Sequence, residues 1–492
     1  MKEQPKVVVI GAGFSGMAAA TSLAHRGFRV QVLEKHDKPG GRARSFSVQG
    51  FTFDMGPSWY WMPDVFDKYF GQFGKSTADF YKLQRLDPSY TVIFGPDDFM
   101  SIPAQMPQIE SLFESLESGS SKQLAAFLKQ AAYKYEVGIN NLVYKPGRSL
   151  TEFLDWKLLL DVFRLDVLQS MHQHVRKYFR NEKIIKLMEF PILFLGAMPQ
   201  NTPALYSLMN YADMALGTWY PQGGMFKIVE GMETLAKAEG VEFLYNQEVV
   251  SFKTDKKTIN QVVTATHTFE AGIVVASADY HHVESKLLPP NQRSYSEAYW
   301  QKRVMAPSSL IFYLGINKRL ENLQHHNLFF DEDFEPHARE IYERPQWPSN
   351  PLFYVSAPSI TDATVAPAGC ENIFVLIPVA PGLEDTSAIR EKYYDLVMQR
   401  LEKLTKQAIR EHVVYKRSYA HQDFITDYHA FKGNAYGLAN TLKQTAILKP
   451  SLKSKKVKNL FYTGQLTVPG PGVPPSLISG QVVAQEIAQA YS

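Results

Sequence analysis

The stretch KVVVIGAGFSGMAAATSL, residues 6–23, decides the fold of this chain. It begins with VVVI, a β-branched run typical of a parallel strand that is buried on both faces. A cluster of glycines follows at once, and a helix rich in small residues comes after it. A second strand is predicted over residues 28–33, ending at Glu34. The stretch therefore predicts a complete βαβ unit.

The spacing of the glycines indicates a turn that binds a dinucleotide. Gly11 permits the tight turn, Gly13 lets the backbone approach a pyrophosphate, and Gly16 lets the helix pack on the strand. The pyrophosphate then meets the helix N-terminus, which favours anions. Glu34, at the end of the second strand, can accept hydrogen bonds from ribose hydroxyls and disfavours the 2′-phosphate of NADP. FAD and NAD both fit this pattern.

The next stretch, KHDKPGGRARSF at residues 35–46, separates FAD from NAD. Gly40 and Gly41 allow a second close approach of backbone, and Arg42 can bring a fixed cation to the same diphosphate. The GGR after an acid-ended strand resembles the flavoprotein superfamily of amine oxidases, squalene-type oxidoreductases and carotenoid desaturases. The resemblance implies FAD as the cofactor.

Length and composition limit the possible classes of protein. A chain of 492 residues exceeds the usual size of one core, so two or three interleaved domains are expected. A formal net charge of +3, without basic runs alternating with aromatics, argues against nucleic acid as a partner. The single cysteine, Cys370, allows no intrachain disulfide and favours a reducing compartment. No Cys/His spacing typical of a metal site occurs, so no metal is predicted.

Later blocks of sequence narrow the family. They are GFTFDMGPSWY (50–60), GTWYPQGGMFKIVEGMETLA (217–236), HHNLFF (325–330), the block from 350 to 381 that begins NPLFYVSAPS, and NLFYTGQLTVPGPGVPPSLISG (459–480). These blocks closely resemble consecutive blocks of bacterial-type phytoene desaturases, in the same order. The resemblance covers nearly the whole chain. It implies FAD as the redox cofactor and a long linear polyene precursor as the substrate.

The resemblance also implies which residues contact the cofactor. Residues 461–463 should form the last strand of the cofactor domain, and the helix after Val473 should direct its N-terminus at the isoalloxazine. Gln465 stands where many flavin relatives have an acidic residue. The full predicted set is Gly11, Gly13, Phe14, Ser15, Gly16, Glu34, Lys35, Gly41, Arg42, Gly56, Val249, Gly464, Gln465, Gly472 and Val473.

One acid/base residue is implied by the same resemblance. It places a carboxylate-bearing helix start near SLTEFLDWK, which makes Glu152 the candidate. Asp155 departs from relatives that carry a basic residue there. The alternative interpretation of Glu152 is a helix cap or a solvated charge.

The predicted fold is α/β, with three interleaved parts. A Rossmann-type FAD-binding domain comprises residues 1–80, 222–285 and 455–492. A mixed-sheet substrate domain comprises 81–107 and 286–454, and a helical, membrane-facing subdomain comprises 108–221. The apolar segment 190–220 is interrupted by prolines from Pro191 onward and is not expected to form a long helix. It is interpreted as a tunnel wall or a membrane lip, or alternatively as ordinary core.

The predicted function is desaturation of phytoene by hydride transfer to the flavin, at the surface of a membrane. No apolar run reaches the ~18 to 20 residues that span a bilayer, so we expect a cytoplasmic, peripherally attached enzyme. Oxygen or a quinone would accept the electrons. The alternatives are a desaturase of a C30 diapophytoene or of a hydroxylated carotenoid. A further alternative is a non-catalytic carrier of prenyl lipids on the same fold, as in the GDP-dissociation-inhibitor relatives, although the intact GGR and the C-terminal glycine motif argue against it.

Overall fold

The computed structural model describes residues 4–149, 165–194, 198–441 and 444–491. The strands, in chain order, are β1 (Val7–Ile10), β2 (Val30–Leu33), β3 (Ser45–Val48), β4 (Phe51–Asp54), β5 (Leu83–Arg85), β6 (Tyr90–Gly95), β7 (Asp98–Ile102), β8 (Trp219–Pro221), β9 (Glu242–Leu244), β10 (Val249–Asp255), β11 (Thr258–Thr264), β12 (Thr268–Glu270), β13 (Ile273–Ala276), β14 (Ser308–Ile316), β15 (His326–Phe329), β16 (Phe353–Ser356), β17 (Glu371–Val379), β18 (Val413–Tyr419) and β19 (Leu460–Tyr462).

The α-helices surround these strands. They are α1 (Phe14–His25), α2 (Pro63–Gly71), α3 (Met106–Leu116), α4 (Ser120–Val137), α5 (Met171–Val175), α6 (Glu182–Phe194), α7 (Leu208–Asn210), α8 (Phe226–Ala238), α9 (Tyr280–His282), α10 (Glu297–Gln301), α11 (Phe334–Tyr342), α12 (Ser387–Thr405), α13 (His421–Tyr428) and α14 (Val473–Tyr491).

A parallel sheet forms the first layer of the fold. Its strand order is β19-β13-β1-β2-β9, and every neighbouring pair is parallel. All four residues of β1 are buried, as expected for the β-branched run at the centre of such a sheet. The five strands fall within the three segments assigned to the FAD domain, whose boundaries stay a prediction. Because parallel strands end at one edge, the loops after β1, β2, β13 and β19 meet there.

Helices α1 and α14, both rich in small residues, pack against this sheet and against each other. A Cβ atom at Gly16 would lie 2.0 Å from the carbonyl oxygen of Gly11, and one at Gly480 would lie 2.2 Å from that of Ser15. Only glycine fits at either position. The close approach brings α14 against the first turns of α1, at the edge where the strands end.

The second sheet has seven strands in the order β18-β14-β17-β16-β15-β6-β7. Its pairs are antiparallel except for β15 with β6. Because side chains alternate along each strand, one face packs Phe312 and Val375 against Tyr393 and Val397 of α12. The other face of the seven-stranded sheet points toward the parallel sheet. It therefore forms one wall of the space between the two sheets.

Helices α3 to α7 cover a further side of the molecule. Pro191 lies inside α6, which runs on to Phe194, so the expectation that this proline interrupts the helix is wrong. The amide Nδ2 of Asn210 donates to the carbonyl of Met188 at 3.0 Å, which adds a donor to the turn that the proline weakens. After residue 198 the segment forms only short helices, as expected. Among the described residues, no helix combines the length and the apolarity that crossing a membrane needs.

Candidate active site

A cavity of about 400 Å³ opens at the edge where the parallel strands end. Its size is within the range of small-molecule sites. The structure brings together around it every predicted cofactor residue except Gly16, which packs behind the turn against Gly11. The lining residues from the predicted set are Gly11, Gly13, Phe14, Ser15, Glu34, Lys35, Gly41, Arg42, Gly56, Val249, Gly464, Gln465, Gly472 and Val473. Glu152 lies outside the described residues, and its role stays a prediction.

One part of the cavity is built for an anion. The first N–H groups of α1 have no partner within the helix, and they lie beside the loop of Gly41, whose Cβ would stand 3.3 Å from the Cα of Gly13. Arg42 lines the same space. Its buried Nε has no hydrogen-bond partner among the described residues, and burial lowers the pKa of its guanidinium. A cation and unpaired amides that share one space fit the diphosphate of FAD.

Glu34 is fixed as an acceptor at the end of β2. One carboxylate oxygen accepts the N–H of Ala12 at 2.7 Å, and the other accepts the N–H of His36 at 2.9 Å. The side chain is buried, and it lines the cavity beside Val249. These bonds leave lone pairs on both oxygens, which suits the predicted hydrogen bonds from ribose hydroxyls.

The C-terminal loop forms the opposite wall and is held by its own hydrogen bonds. The N–H of Gly464 donates to Oγ of Ser479 at 3.1 Å, and Oγ1 of Thr467 donates to the carbonyl of Gly464 at 2.7 Å. Gln465 donates from Nε2 to Oδ1 of Asn434 at 3.1 Å. The amide of Gln465 is thus engaged by the protein, and its contact with the flavin stays a prediction.

Several lining residues were missed by the sequence analysis. Asp279 follows β13, and its buried carboxylate accepts the N–H groups of His282 and Phe431. Its position at the carboxyl end of a parallel strand is a signal that could have found it. Tyr428 and His429, at the end of α13, carry no local signal. They reach the cavity because Lys35 donates from Nζ to the carbonyl of Thr426 at 2.6 Å.

Two histidines stack in the wall of the cavity. The rings of His282 and His429 lie 3.9 Å apart at an angle of 6°. Nε2 of His429 lies 2.8 Å from Oε1 of Glu248 and 3.3 Å from Nζ of Lys35. Burial, together with the neighbouring His429 and Lys35, lowers the pKa of His282 to about 3. The His282 ring is therefore neutral in the folded protein at neutral pH.

This low pKa predicts a pH dependence of stability. The pKa of His282 is lower in the folded state than the ordinary 6.5 of the unfolded state, so acid protonates the unfolded chain first. The contribution of His282 to stability is fully present above pH 6.5 and is lost as the pH drops toward 3, at up to about 1.4 kcal/mol per pH unit. In the FAD-free protein, His282→Gln should flatten this slope between pH 6 and pH 4. Urea unfolding at several pH values measures it, and an unchanged slope would contradict the assignment.

A second cavity of about 70 Å³ adjoins the first. The two share Ser309, Tyr354, Leu376 and Tyr436. The rest of the second cavity is almost entirely apolar, with lining residues that include Phe190, Leu328, Phe330, Phe334, Ile341 and Leu352. The cofactor space therefore shares a wall with a compartment that suits an apolar molecule.

Comparisons with known proteins agree with this geometry. The sequence profile of the family described as flavin containing amine oxidoreductase matches residues 14–488. The carotenoid 3,4-desaturase of Haloarcula japonica is 39% identical over 488 residues, which cover 98% of each chain. The zeta-carotene-forming phytoene desaturase of Myxococcus xanthus is 33% identical and covers 98% of this chain and 93% of its own.

A solved structure shows the same fold. An oxidoreductase from Methanosarcina mazei matches with a TM-score of 0.64 at 16% identity, over 98% of this chain and all of its own. The predicted α/β flavoprotein fold, FAD as the cofactor and oxidoreductase activity are confirmed. A family match that begins at the first residue of α1 and ends near the end of α14 includes the cavity-lining residues that follow Gly13. The chain belongs to the family of flavin-containing amine oxidoreductases.

Proposed function

We propose that the protein is an FAD-dependent carotenoid desaturase and that phytoene is its substrate. The observation that carries this proposal is the apolar cavity that shares part of its wall with the cofactor cavity. A carotenoid precursor has no charged group, so it needs an apolar compartment rather than an ionic anchor. The two desaturase relatives, 39% and 33% identical over nearly the whole chain, support the same chemistry.

The residues divide the work between holding the cofactor and enclosing the substrate. Gly13, Gly41 and Arg42 would hold the diphosphate, Glu34 a ribose, and the loop from Gly464 to Val473 the flavin end. Bound FAD supplies the acceptor for a hydride taken from the substrate. The protein must hold the reacting carbons in place and exclude water.

Aromatic side chains enclose the region between the two cavities. Trp59 and Trp61 line the cofactor cavity, with their ring centroids 5.2 Å apart. Nε1 of Trp61 donates to Oγ1 of Thr218 at 2.9 Å, which fixes its ring. Trp59 and Phe190 are in ring contact at 6.2 Å, and Phe190 belongs to the second cavity. The walls are thus positioned to orient an apolar chain by shape and to keep water out.

A second candidate concerns the position of the new double bond. The relative from Haloarcula japonica is a carotenoid 3,4-desaturase and has a higher identity than the phytoene desaturase from Myxococcus xanthus. That difference in identity supports, as a second candidate, a 3,4-desaturation of a carotenoid other than phytoene. Hydroxylated carotenoids are among the possible substrates of such a reaction. The C30 diapophytoene alternative is retained for the same test.

Anaerobic incubation with defined carotenoids tests the proposal. Purified, FAD-loaded protein is mixed with phosphatidylcholine vesicles that carry phytoene, C30 diapophytoene or a hydroxylated carotenoid. With phytoene, we expect the flavin absorption to bleach and a longer conjugated polyene to form. Turnover of another carotenoid alone would overturn phytoene as the substrate, and bleaching with none of them would overturn carotenoid desaturation.

We also propose that the enzyme is cytoplasmic, attaches peripherally to membranes, and passes electrons to oxygen or a quinone. Delivery of an insoluble substrate supports attachment, and Leu168 and Phe99 are exposed by 89% and 66%. Flotation of the protein with the same vesicles tests attachment. Admission of oxygen or a soluble quinone to the bleached enzyme tests the acceptor, because the competent one restores the flavin colour.

A further inference from the structure

A polar cluster interrupts the apolar wall where the two cavities meet. Tyr354 lines both cavities. Its hydroxyl lies 2.6 Å from Nδ1 of His326 and 3.0 Å from Oγ of Ser58. Ser58 also lines the cofactor cavity. A tyrosine whose hydroxyl is hydrogen-bonded to an imidazole therefore lines the space assigned to the reacting part of the substrate.

The pairing of two strands places this cluster. On β15 and β16, Leu328 lies opposite Tyr354 and His326 lies opposite Ser356. Because side chains alternate along a strand, all four project from the same face of the sheet. That face also carries Leu376, which lies opposite Tyr354 on β17 and lines both cavities. The tyrosine and the histidine are thus held by sheet register rather than by a mobile loop.

His326 is immobile, and only one of its nitrogens is engaged. The side chain is fully buried, and its ring stacks on Trp59 at 4.1 Å and 9°. Among the described residues, Nε2 of His326 has no hydrogen-bond partner. An unpaired buried polar group costs about 1–3 kcal/mol, so an apolar ring would fill this position at lower cost. The imidazole is therefore better explained by chemistry than by packing.

Desaturation creates a need that this cluster can meet. It removes a hydride and a proton from adjacent carbons, and the cofactor takes only the hydride. In the structure the hydroxyl of Tyr354 donates to Oγ of Ser58. We propose that this O–H turns to Nδ1 of His326, whose imidazole is the Nε2–H tautomer, and that the hydroxyl accepts the proton of the substrate while its own proton passes to Nδ1. The C–H electron pair becomes the new π bond, one O–H bond forms as another breaks, and one N–H bond forms. Tyr354 is the catalytic residue and His326 its positioning and proton-holding partner, an assignment that rests on the proposed function.

The weakness of the base is compatible with this step. Burial, with help from the neighbouring His325, lowers the pKa of His326 well below its ordinary value. A weak base is sufficient because a C–H bond beside a carbon that has lost hydride is strongly acidic. A weak base also gives up its proton readily, so the site can be reset before the next substrate.

A path for the proton leads away from the substrate. Ser58 borders a third cavity of about 20 Å³, which is room for one water molecule. Polar and apolar residues share the lining of that cavity, and the polar ones include Asp54, whose pKa burial raises to about 6. The chain from Tyr354 through Ser58 therefore connects the substrate space with a group that can carry a proton.

The proposal predicts a slow chemical step in Tyr354→Phe. The rate of flavin reduction by phytoene, or by the tested carotenoid that wild-type protein converts, should fall about 10²-fold in an anaerobic single turnover. The substrate concentration for half-saturation should stay the same. Deuterium at the carbon that loses the proton should slow the variant more than it slows wild type, which a purely structural role would not produce.

Two further variants separate proton transfer from structure. His326→Gln keeps a hydrogen-bonding group beside Tyr354 but cannot hold a proton, so it should be as slow as Tyr354→Phe. Tyr393→Phe is the matched control, since it removes one buried hydrogen bond, to the carbonyl of Pro348, on the opposite face of the same sheet. That control should react at the wild-type rate.

The possible results are distinguishable. A rate within twofold of wild type in Tyr354→Phe or in His326→Gln would overturn the proposal. Loss of the rate in Glu152→Gln, with Tyr354→Phe unaffected, would assign the proton to Glu152 and also overturn it. If wild-type flavin is reduced by none of the carotenoids, the proposed function itself fails, and this inference fails with it.

Discussion

Replacement of Arg42 by Met should lower the affinity for FAD about 10³-fold without lowering the stability of the FAD-free protein. The guanidinium has a buried Nε with no hydrogen-bond partner among the described residues, and the protein around it lowers its pKa. The guanidinium has a long hydrogen bond of 3.4 Å to the carbonyl of Asn434 and contacts the ring of Tyr428, and a diphosphate would add the acceptor that Nε lacks. Removing one partner of a buried charge pair costs about 3–5 kcal/mol, which corresponds to 10²- to 10⁴-fold in affinity.

The measurement for Arg42→Met has two parts. Titration of the FAD-free protein with FAD, followed by flavin fluorescence, gives the dissociation constant, and thermal unfolding without FAD gives the stability. Arg44→Met is the matched control, since Arg44 pairs with Oδ2 of Asp427 at 2.6 Å and does not line the cavity. The control should lose stability and keep most of its FAD affinity. Normal FAD binding by Arg42→Met would contradict the assignment of Arg42 to the diphosphate.

Replacement of Gly480 by Ala should destabilise the protein by roughly 3 kcal/mol and weaken FAD binding. The added Cβ would lie 2.2 Å from the carbonyl oxygen of Ser15 and 2.8 Å from the amide nitrogen of Ala19. Both are backbone atoms of α1, so no side-chain movement relieves the clash. The two helices must separate, and the first turn of α1, whose amides line the cavity, moves with them. The gain of about 1 kcal/mol from higher helix propensity does not offset this cost.

Gly71→Ala provides the control for Gly480→Ala. Gly71 is the last residue of α2, and a Cβ there would have no neighbour within 4 Å. The same change of residue should therefore leave stability within about 1 kcal/mol of wild type. Urea unfolding with and without FAD measures both variants. Equal losses of stability in the two variants would contradict the prediction that the contact between α14 and α1 excludes a Cβ at position 480.

The parts of the site that lie in local sequence could be predicted. Gly11, Gly13 and Glu34 belong to one βαβ unit, so their spacing along the chain fixes their spacing in space. The loop around Gly464 was identified by its glycines and prolines together with the family resemblance. Register across distant strands is not visible in the same way, which is why Tyr354 and His326 were not paired. The segments HHNLFF and NPLFYVSAPS both resemble segments of the family. Their sequences do not indicate which residue of one strand pairs with which residue of the other.

Other residues were missed for different physical reasons. Gly480 lies in mid-helix, where a glycine ordinarily lowers helix stability, and its value becomes visible only when α1 is placed beside it. His429 reaches the cavity through contacts of α13 with residues almost four hundred positions away. Pro191 was given too much weight as a helix breaker, because tertiary packing holds α6 together.

The order of the parallel sheet has a consequence for how the enzyme matures in the cell. β19 and α14 are synthesised long after β1, tens of seconds later at ~5–20 residues per second. Until they emerge from the ribosome, β13 is an unpaired sheet edge and one wall of the FAD cavity does not exist. The complete FAD cavity can therefore form only after β19 and α14 have been synthesised.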